Sequence, residues 1–345
     1  MEVCSCGAYA PDTVLLKLNG TKCNLHCDYC SEIGKGRLGC MSLDVVRKLF
    51  LSLPNDADVI LHGGEPLLDL ILAKEVIDLH YELRGKRIGI QTNGCCPAGT
   101  IEMLGAVSDK IKLGVSIDGP ENCNLYRKTG KGHPAFAVVD SFLEHARSRN
   151  IPVKCISTIN NVNVQFPIQV LDYFSTKEAV VSLRINPCFD VRDNGLANYA
   201  VHPLKFLWFL KAATSHWLES KYYRNFKLEP ILSALQSRFS PDEINGNLPC
   251  AKYVSFYPDG VCTLCDVLGN DTVERDLGNL FAHQNDAVPP SDCLSCINRD
   301  RCSGCPGILR RFAKNKELKA EYCEYRKEYF VFISQLRSIL HFDNG

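Results

Sequence analysis

Before residue 190 the chain alternates short β-branched runs with helix-like segments, and few architectures accommodate that rhythm. VLLKL (14–18), DVILH (58–62), RIGIQ (87–91), IKLGVSI (111–117), PVKCIST (152–158) and VVSLRI (180–185) predict six strands. Between them, Ser42 is suited to cap the segment LDVVRKLFLSL, and LDLILAKEVIDLHYEL carries apolar residues at helical spacing. Six successive βα units predict an α/β fold, a partial (β/α)6 TIM-like barrel whose active-site residues gather where strands end and βα loops begin. Residues 1–190 are assigned to this barrel, and 191–245, rich in Leu, Phe and Trp, to a helical bridging region. Residues 246–345 form a small cysteine-rich domain with a C-terminal helix, too short for a second large core, so bound metal is expected to stabilise it.

The chain has 19 cysteines in 345 residues. It has no basic segment followed by an apolar run at its N-terminus and no stretch of 18 apolar residues, which predicts a cytoplasmic protein without a signal peptide or membrane span. In a reducing compartment the cysteines are not expected to be disulfides. Lys plus Arg and Asp plus Glu both number 39, so no net field recommends nucleic acid or an anionic membrane as partner. Cys40, Cys95, Cys96, Cys123, Cys155 and Cys188 are scattered and are expected to be small buried hydrophobes. Most of the others crowd near residue 25 and between 250 and 323.

The segment after the first strand reads KCNLHCDYC, with Cys23, Cys27 and Cys30 spaced C-x3-C-x2-C. Three thiolates on one loop can ligate three irons of a [4Fe–4S] cube and leave the fourth open for an external ligand. Zinc is the alternative, but a structural zinc wants four ligands, and His26 lies between the cysteines in a spacing unlike zinc ribbons. With Tyr29 before the last cysteine, this segment resembles the signature of the radical S-adenosylmethionine (SAM) superfamily. LHGGEP (61–66) resembles the family's GGE motif, in which Gly63, Gly64 and Glu65 receive the amino group of SAM; His62 beside them either touches SAM or is structural. QTNG (91–94), with Thr92 and Asn93, and SIDG (116–119) close the third and fourth strands. The resemblance implies that they supply polar groups to the methionine carboxylate and ribose, with Ser116 and Asp118 on the ribose side. Arg127, before a G-x-G, is implied as a partner of the SAM carboxylate, or else is an exposed loop arginine; Ser157 is placed facing the cofactor. An electron passed from cluster to SAM would then release methionine and a 5′-deoxyadenosyl radical that takes a substrate hydrogen.

Farther on, Cys250-x9-Gly260-x4-Cys265, then Cys293-x2-Cys296-x5-Cys302-x2-Cys305, then Cys323 resemble the SPASM domain of that superfamily, with one gap shorter than the family's. The resemblance implies two auxiliary [4Fe–4S] clusters, an inner one on Cys250, Cys265 and Cys305 and an outer one on Cys293, Cys296, Cys302 and Cys323. A pair of zinc sites is the alternative for C-x2-C repeats taken alone. The inner set lacks a fourth cysteine, because Ile244 occupies the place where some relatives carry one. Cys262 is expected to point away, since YPDG predicts a hairpin over 254–265 and strand positions three apart face opposite sides. Asp266 lies where similar peptide-modifying enzymes place a catalytic base; otherwise it accepts backbone N–H groups in a turn.

The implied activity is that of a radical SAM oxidoreductase installing a carbon–carbon or carbon–heteroatom cross-link in a ribosomally made precursor peptide. An anaerobic sulfatase maturase, making formylglycine from Cys or Ser, is the alternative, disfavoured by the missing eighth cysteine. A non-catalytic metal-stabilised binding protein is the third reading. The implied partners are the precursor peptide, a low-potential reductant such as ferredoxin or flavodoxin, and a separate leader-peptide recognition protein, because the stretch before Cys23 is too short for the winged domain some relatives carry.

Overall fold

In the computed structural model the described residues are 11–192, 195–236, 253–263, 293, 295–298, 302, 306–313 and 315–340. Strands β1 (Thr13–Lys17), β2 (Asp58–His62), β3 (Ile88–Thr92), β4 (Ile111–Ser116), β5 (Val153–Ile159) and β6 (Val180–Pro187) pair in that order, all parallel. Their side chains alternate into the core: Val14, Leu16, Val59, Leu61, Ile88 and Ile90 are buried. A short antiparallel pair follows, β7 (Val191–Arg192) with β8 (Gly195–Leu196). The sheet then extends beyond the six predicted strands at both edges. β9 (Lys227–Glu229) adds in parallel to β6, and β10 (Tyr253–Phe256) adds in parallel to β1, with β11 (Cys262–Thr263) antiparallel outside it. β9 is three residues long, too short for a period to show, whereas β10 and β11 flank YPDG as the two arms of the hairpin predicted there.

Helices α1 (Leu43–Ser52), α2 (Leu70–Arg84), α3 (Thr100–Ala106), α4 (Phe136–Ser148) and α5 (Pro167–Ser175) fill the connections. Ser42 caps α1 by accepting the Val45 N–H at 3.4 Å, and Asp69 caps α2 at Leu72 with 3.0 Å. Arg84, at the end of α2, donates to the carbonyls of Phe50, Leu53, Pro54 and Ala57 and so ties the α1–β2 turn to α2. The predicted helical stretch contains α6 (Pro203–Glu219) and α7 (Ile231–Gln236), and the chain continues through α8 (Pro306–Ala313) to α9 (Lys316–Ile339). Phe189, Phe206, Phe312, Tyr322 and Tyr325 pack edge to face or stacked where α6, α8 and α9 meet the chain leaving β6. No helix among the described residues is long and apolar enough to cross a membrane.

Candidate active site at the C-terminal ends of the strands

The cysteine loop leaves β1 and is clamped from two sides. On one side Gly64 N–H donates to Gly20 O and Glu65 N–H to Lys22 O, both at 2.9 Å. A β-carbon on Gly63 would stand 2.6 Å from Gly20 O, and one on Gly64 would stand 1.9 Å from Lys22 O. The bareness of this glycine pair therefore serves the approach of the cysteine loop itself, beyond the approach of a cofactor expected from sequence. On the other side, residues 126–129 run against it: His26 N–H donates to Lys128 O at 2.7 Å, Asp28 N–H to Tyr126 O at 3.1 Å, and Lys128 pairs with Asp28 at 3.0 Å. That strap carries Arg127 inward, where it is 5 % exposed, which removes the reading of an exposed loop arginine.

Glu65 is fully buried at the end of β2. Oε1 accepts from Leu67 N–H at 3.0 Å and Thr92 Oγ1 at 2.8 Å, and Oε2 from Asn93 N–H at 2.7 Å. A carboxylate has about four acceptor positions, so one remains on Oε2. Among the described residues no cation pairs with it. Burial pushes its carboxyl up to about 7, against the pull of the Asn93 and Leu67 N–H groups, the Thr92 hydroxyl and Arg127.

Asn93 joins this carboxylate to the cysteines. Its Nδ2 donates to Cys23 Sγ at 3.4 Å and to Asn24 Oδ1 at 2.8 Å, and its Oδ1 accepts from Cys95 N–H at 2.7 Å. Cys23 opens on the surface, yet enough protein surrounds it that burial raises its thiol; Cys27 is pushed up to about 12, burial outweighing Arg127. The thiols lie close together: Cys30 opposes ionisation of both Cys23 and Cys27, and Cys23 that of Cys27.

Tyr29 donates to Asp118 Oδ2 at 2.5 Å and accepts from Arg127 Nη1 at 3.5 Å; Arg127 Nη2 reaches Asn93 O at 3.4 Å. Burial works against the Arg127 charge, but Tyr29, Cys27 and Asp118 together hold its pKa above the ordinary value. Its Nε is buried with no hydrogen-bond partner. Asp118 is fully buried, its pKa raised by that burial, and its other oxygen accepts from Thr158 N–H at 3.0 Å. Its two oxygens thus hold Tyr29 and β5, employment beyond the ribose-side role implied by resemblance. Ser157, buried, donates to Asp118 O at 3.1 Å, and Ser116 Oγ accepts from Gln91 at 2.8 Å.

His62 lies at the end of β2, where its Nδ1 accepts from Gly63 N–H at 2.8 Å and faces Lys17 Nζ at 3.2 Å. Sequence reasoning missed the group behind it. Buried Lys17 and Lys35 both donate to Glu32 Oε1, at 2.8 and 3.0 Å, and Lys35 reaches the Tyr257 hydroxyl at 3.2 Å. The one signal for it was a lysine inside the apolar run VLLKL.

Of the scattered cysteines, Cys123, Cys155 and Cys188 are buried as expected, but Cys40 is exposed and Cys95 and Cys96 are half-buried beside the site. Cys96 Sγ stands 3.2 Å from Thr92 Oγ1. Cys262 is buried in the apolar core. Cys250, Cys265, Cys305, Asp266 and Ile244 lie outside the described residues. Cys296 and Cys302 are neighbours of Cys323 on α9, and Cys296 N–H donates to Cys293 O at 3.3 Å.

The model of the Radical SAM superfamily matches residues 20–169. This span runs from the loop before Cys23 into α5, and every residue of the constellation around Glu65 lies in or beside it. The chain carries a radical SAM domain. This radical SAM enzyme is 25 % identical over 364 residues to the cysteine-type anaerobic sulfatase-maturating enzyme of Clostridium perfringens (strain 13 / Type A), covering 93 % of this chain and 96 % of that protein. It is 26 % identical to the serine-type enzyme of Bacteroides thetaiotaomicron, over 81 % of this chain and 70 % of the other. Its fold matches native anSMEcpe with bound AdoMet and Cp18Cys peptide at a TM-score of 0.76, with 23 % identity, covering 96 % of this chain and 99 % of that one.

The residues present fit the cofactors that this domain implies. The open acceptor on buried Glu65 suits an ammonium, the orphaned Nε of Arg127 suits a carboxylate, and Cys23 lies near the one and Cys27 near the other. Among the described residues no three His, Cys, Asp or Glu side chains converge as the ligands of one ion would; a cube of four irons instead spreads its thiolates over separate corners.

Proposed function

We propose that this radical SAM enzyme oxidises a cysteine or serine side chain of a peptide or protein substrate to formylglycine, as an anaerobic sulfatase maturase. The observation that carries this reading is the extent of the likeness to the C. perfringens enzyme, which runs through the cysteine-rich C-terminal region as well as the SAM site. It reverses the order in which the missing eighth cysteine placed maturase and cross-linking enzyme.

In this reading Cys23, Cys27 and Cys30 hold the [4Fe–4S] cluster, Glu65 takes the SAM ammonium and Arg127 its carboxylate. Together the bound cluster and SAM supply a carbon radical that removes one hydrogen from the substrate. The chain's own work is to place and to shield. Thr92, Asn93 and the Leu67 N–H fix the Glu65 carboxylate, and Asp118 and Tyr29 fix Arg127, so both ends of the cofactor's methionine part meet groups that need no rearrangement. Cys293, Cys296, Cys302 and Cys323 are assigned to an outer auxiliary cluster, and Cys250, Cys265 and Cys305 to an inner one with Asp266 as base. A low-potential reductant completes the system.

After anaerobic reconstitution three clusters should bring about 12 irons per chain, where a single cluster brings about four. Reduced enzyme with SAM should release 5′-deoxyadenosine and convert a Cys- or Ser-containing peptide to an aldehyde that hydrazide reagents capture. A product two hydrogens lighter that resists proteolysis and captures no hydrazide would refute the maturase assignment in favour of a cross-link.

A further inference from the structure

Arg326 lies on α9 three residues beyond Cys323, so the two share one face of the helix. Its guanidinium stands over the rings of Phe330, Tyr329 and Tyr325 at 4.9, 5.7 and 5.9 Å, and it donates a hydrogen bond to Cys302. Among the described residues no carboxylate pairs with it. A cation largely enclosed by aromatic rings and without a carboxylate is costly unless another anion faces it. The guanidinium also donates a hydrogen bond to the Tyr325 hydroxyl, a neutral group; the sulfur facing it is that of Cys302, with Cys296 close to Cys323 alongside. Ionised together on a cluster, those sulfurs are the anion that the guanidinium lacks. Neither the radical chemistry nor the SAM site uses this residue.

We propose that Arg326 sets the reduction potential of the outer auxiliary cluster, holding it higher than its thiolate ligands alone would. The inference rests on the assignment of Cys293, Cys296, Cys302 and Cys323 to that cluster. Reduction adds one negative charge to an already anionic centre, and a fixed cation donating to one of its sulfurs favours the reduced form. Arg326 is thus a positioning and tuning residue that touches a ligand, not substrate.

The test uses full-length enzyme, reconstituted anaerobically, poised at a series of potentials and read by electron paramagnetic resonance. R326Q keeps an N–H donor without the charge, and R326K keeps the charge. R326Q should lower the reduced-to-oxidised ratio of one cluster about tenfold at fixed potential, equivalent to 59 mV for one electron, with R326K close to wild type. Full iron with unmoved potentials in R326Q overturns the proposal and leaves the cluster assignment standing. About four irons in the wild type overturns the assignment itself. Should R326Q shed iron, the wild type labelled with 15N-arginine decides: a nitrogen coupling to a reduced cluster in pulsed resonance is expected, and its absence sinks the idea.

Discussion

Gly64→Ala tests whether the glycine pair holds the cysteine loop in place. The added β-carbon would meet Lys22 O at 1.9 Å, Lys22 C at 2.3 Å and Thr21 C at 2.8 Å, all backbone atoms that no rotamer change can clear. To reach ordinary contact the loop must retreat by about 1.5 Å. That breaks Gly64 N–H to Gly20 O and Glu65 N–H to Lys22 O, and two buried backbone bonds at about 0.5–1.5 kcal/mol each put the loss at roughly 1–3 kcal/mol. The displaced residues directly precede Cys23, so the loss should fall on the cluster as well as on the fold. Gly85→Ala is the matched control: its φ is +61°, with nothing within 4 Å of an added β-carbon, so it should cost about 1–2 kcal/mol of backbone strain and leave iron untouched. The assay is iron and sulfide per chain after anaerobic reconstitution, with denaturant unfolding alongside. Relative to wild type, G64A should lose about the four irons lost by a C23A/C27A/C30A variant. If G64A loads all its iron and unfolds like wild type, the glycine is not what seats the loop.

Glu65→Gln should weaken SAM binding to reconstituted enzyme roughly 10- to 100-fold, measured by equilibrium dialysis, because a charge-assisted contact is replaced by a neutral one. The carboxyl is raised from 4.5 to about 7, so the folded protein binds the extra proton; without SAM, stability should fall as pH rises from about 4.5 to 7 and level off above, by an order of 3 kcal/mol, and E65Q should flatten that slope in denaturant unfolding. Arg84→Met removes four donations to the α1–β2 turn and should cost about 2–4 kcal/mol by urea unfolding, with iron content unchanged. Arg127→Met leaves Asp118 buried without its cation and should cost about 3–5 kcal/mol. In a double-mutant cycle with Asp118→Asn the two losses should overlap by about 1–3 kcal/mol; strict additivity would show that Tyr29 does not link them.

The six parallel strands were legible because they are short apolar, mostly β-branched runs of five to eight residues separated by helical segments, and their observed limits fall within two residues of the predicted ones. The β10–β11 hairpin was legible from YPDG, but β9 and the parallel pairing of β9 with β6 and of β10 with β1 were not, since such pairing is a long-range fact that three or four residues do not announce. The site divides the same way. Cysteine spacing and GGE point to the groups assigned to the cofactor, because that assignment matches residue type to chemistry. They do not disclose what holds the groups. Asn93 shows the difference. In sequence it is the third letter of QTNG and a donor toward the cofactor. In the fold its backbone N–H fixes Glu65, its Nδ2 reaches Cys23 and Asn24, and its Oδ1 takes the N–H of Cys95. It therefore couples the carboxylate at the end of β2 to the thiol on the loop after β1 from a position at the end of β3, with no contact to a neighbour in sequence except along QTNGC. The same holds for Asp118, whose carboxylate holds Tyr29 and Thr158 and reaches Arg127 through the Tyr29 hydroxyl. Both residues carry motif positions because the fold routes three strand ends through them, and that routing exists only once the strands are side by side.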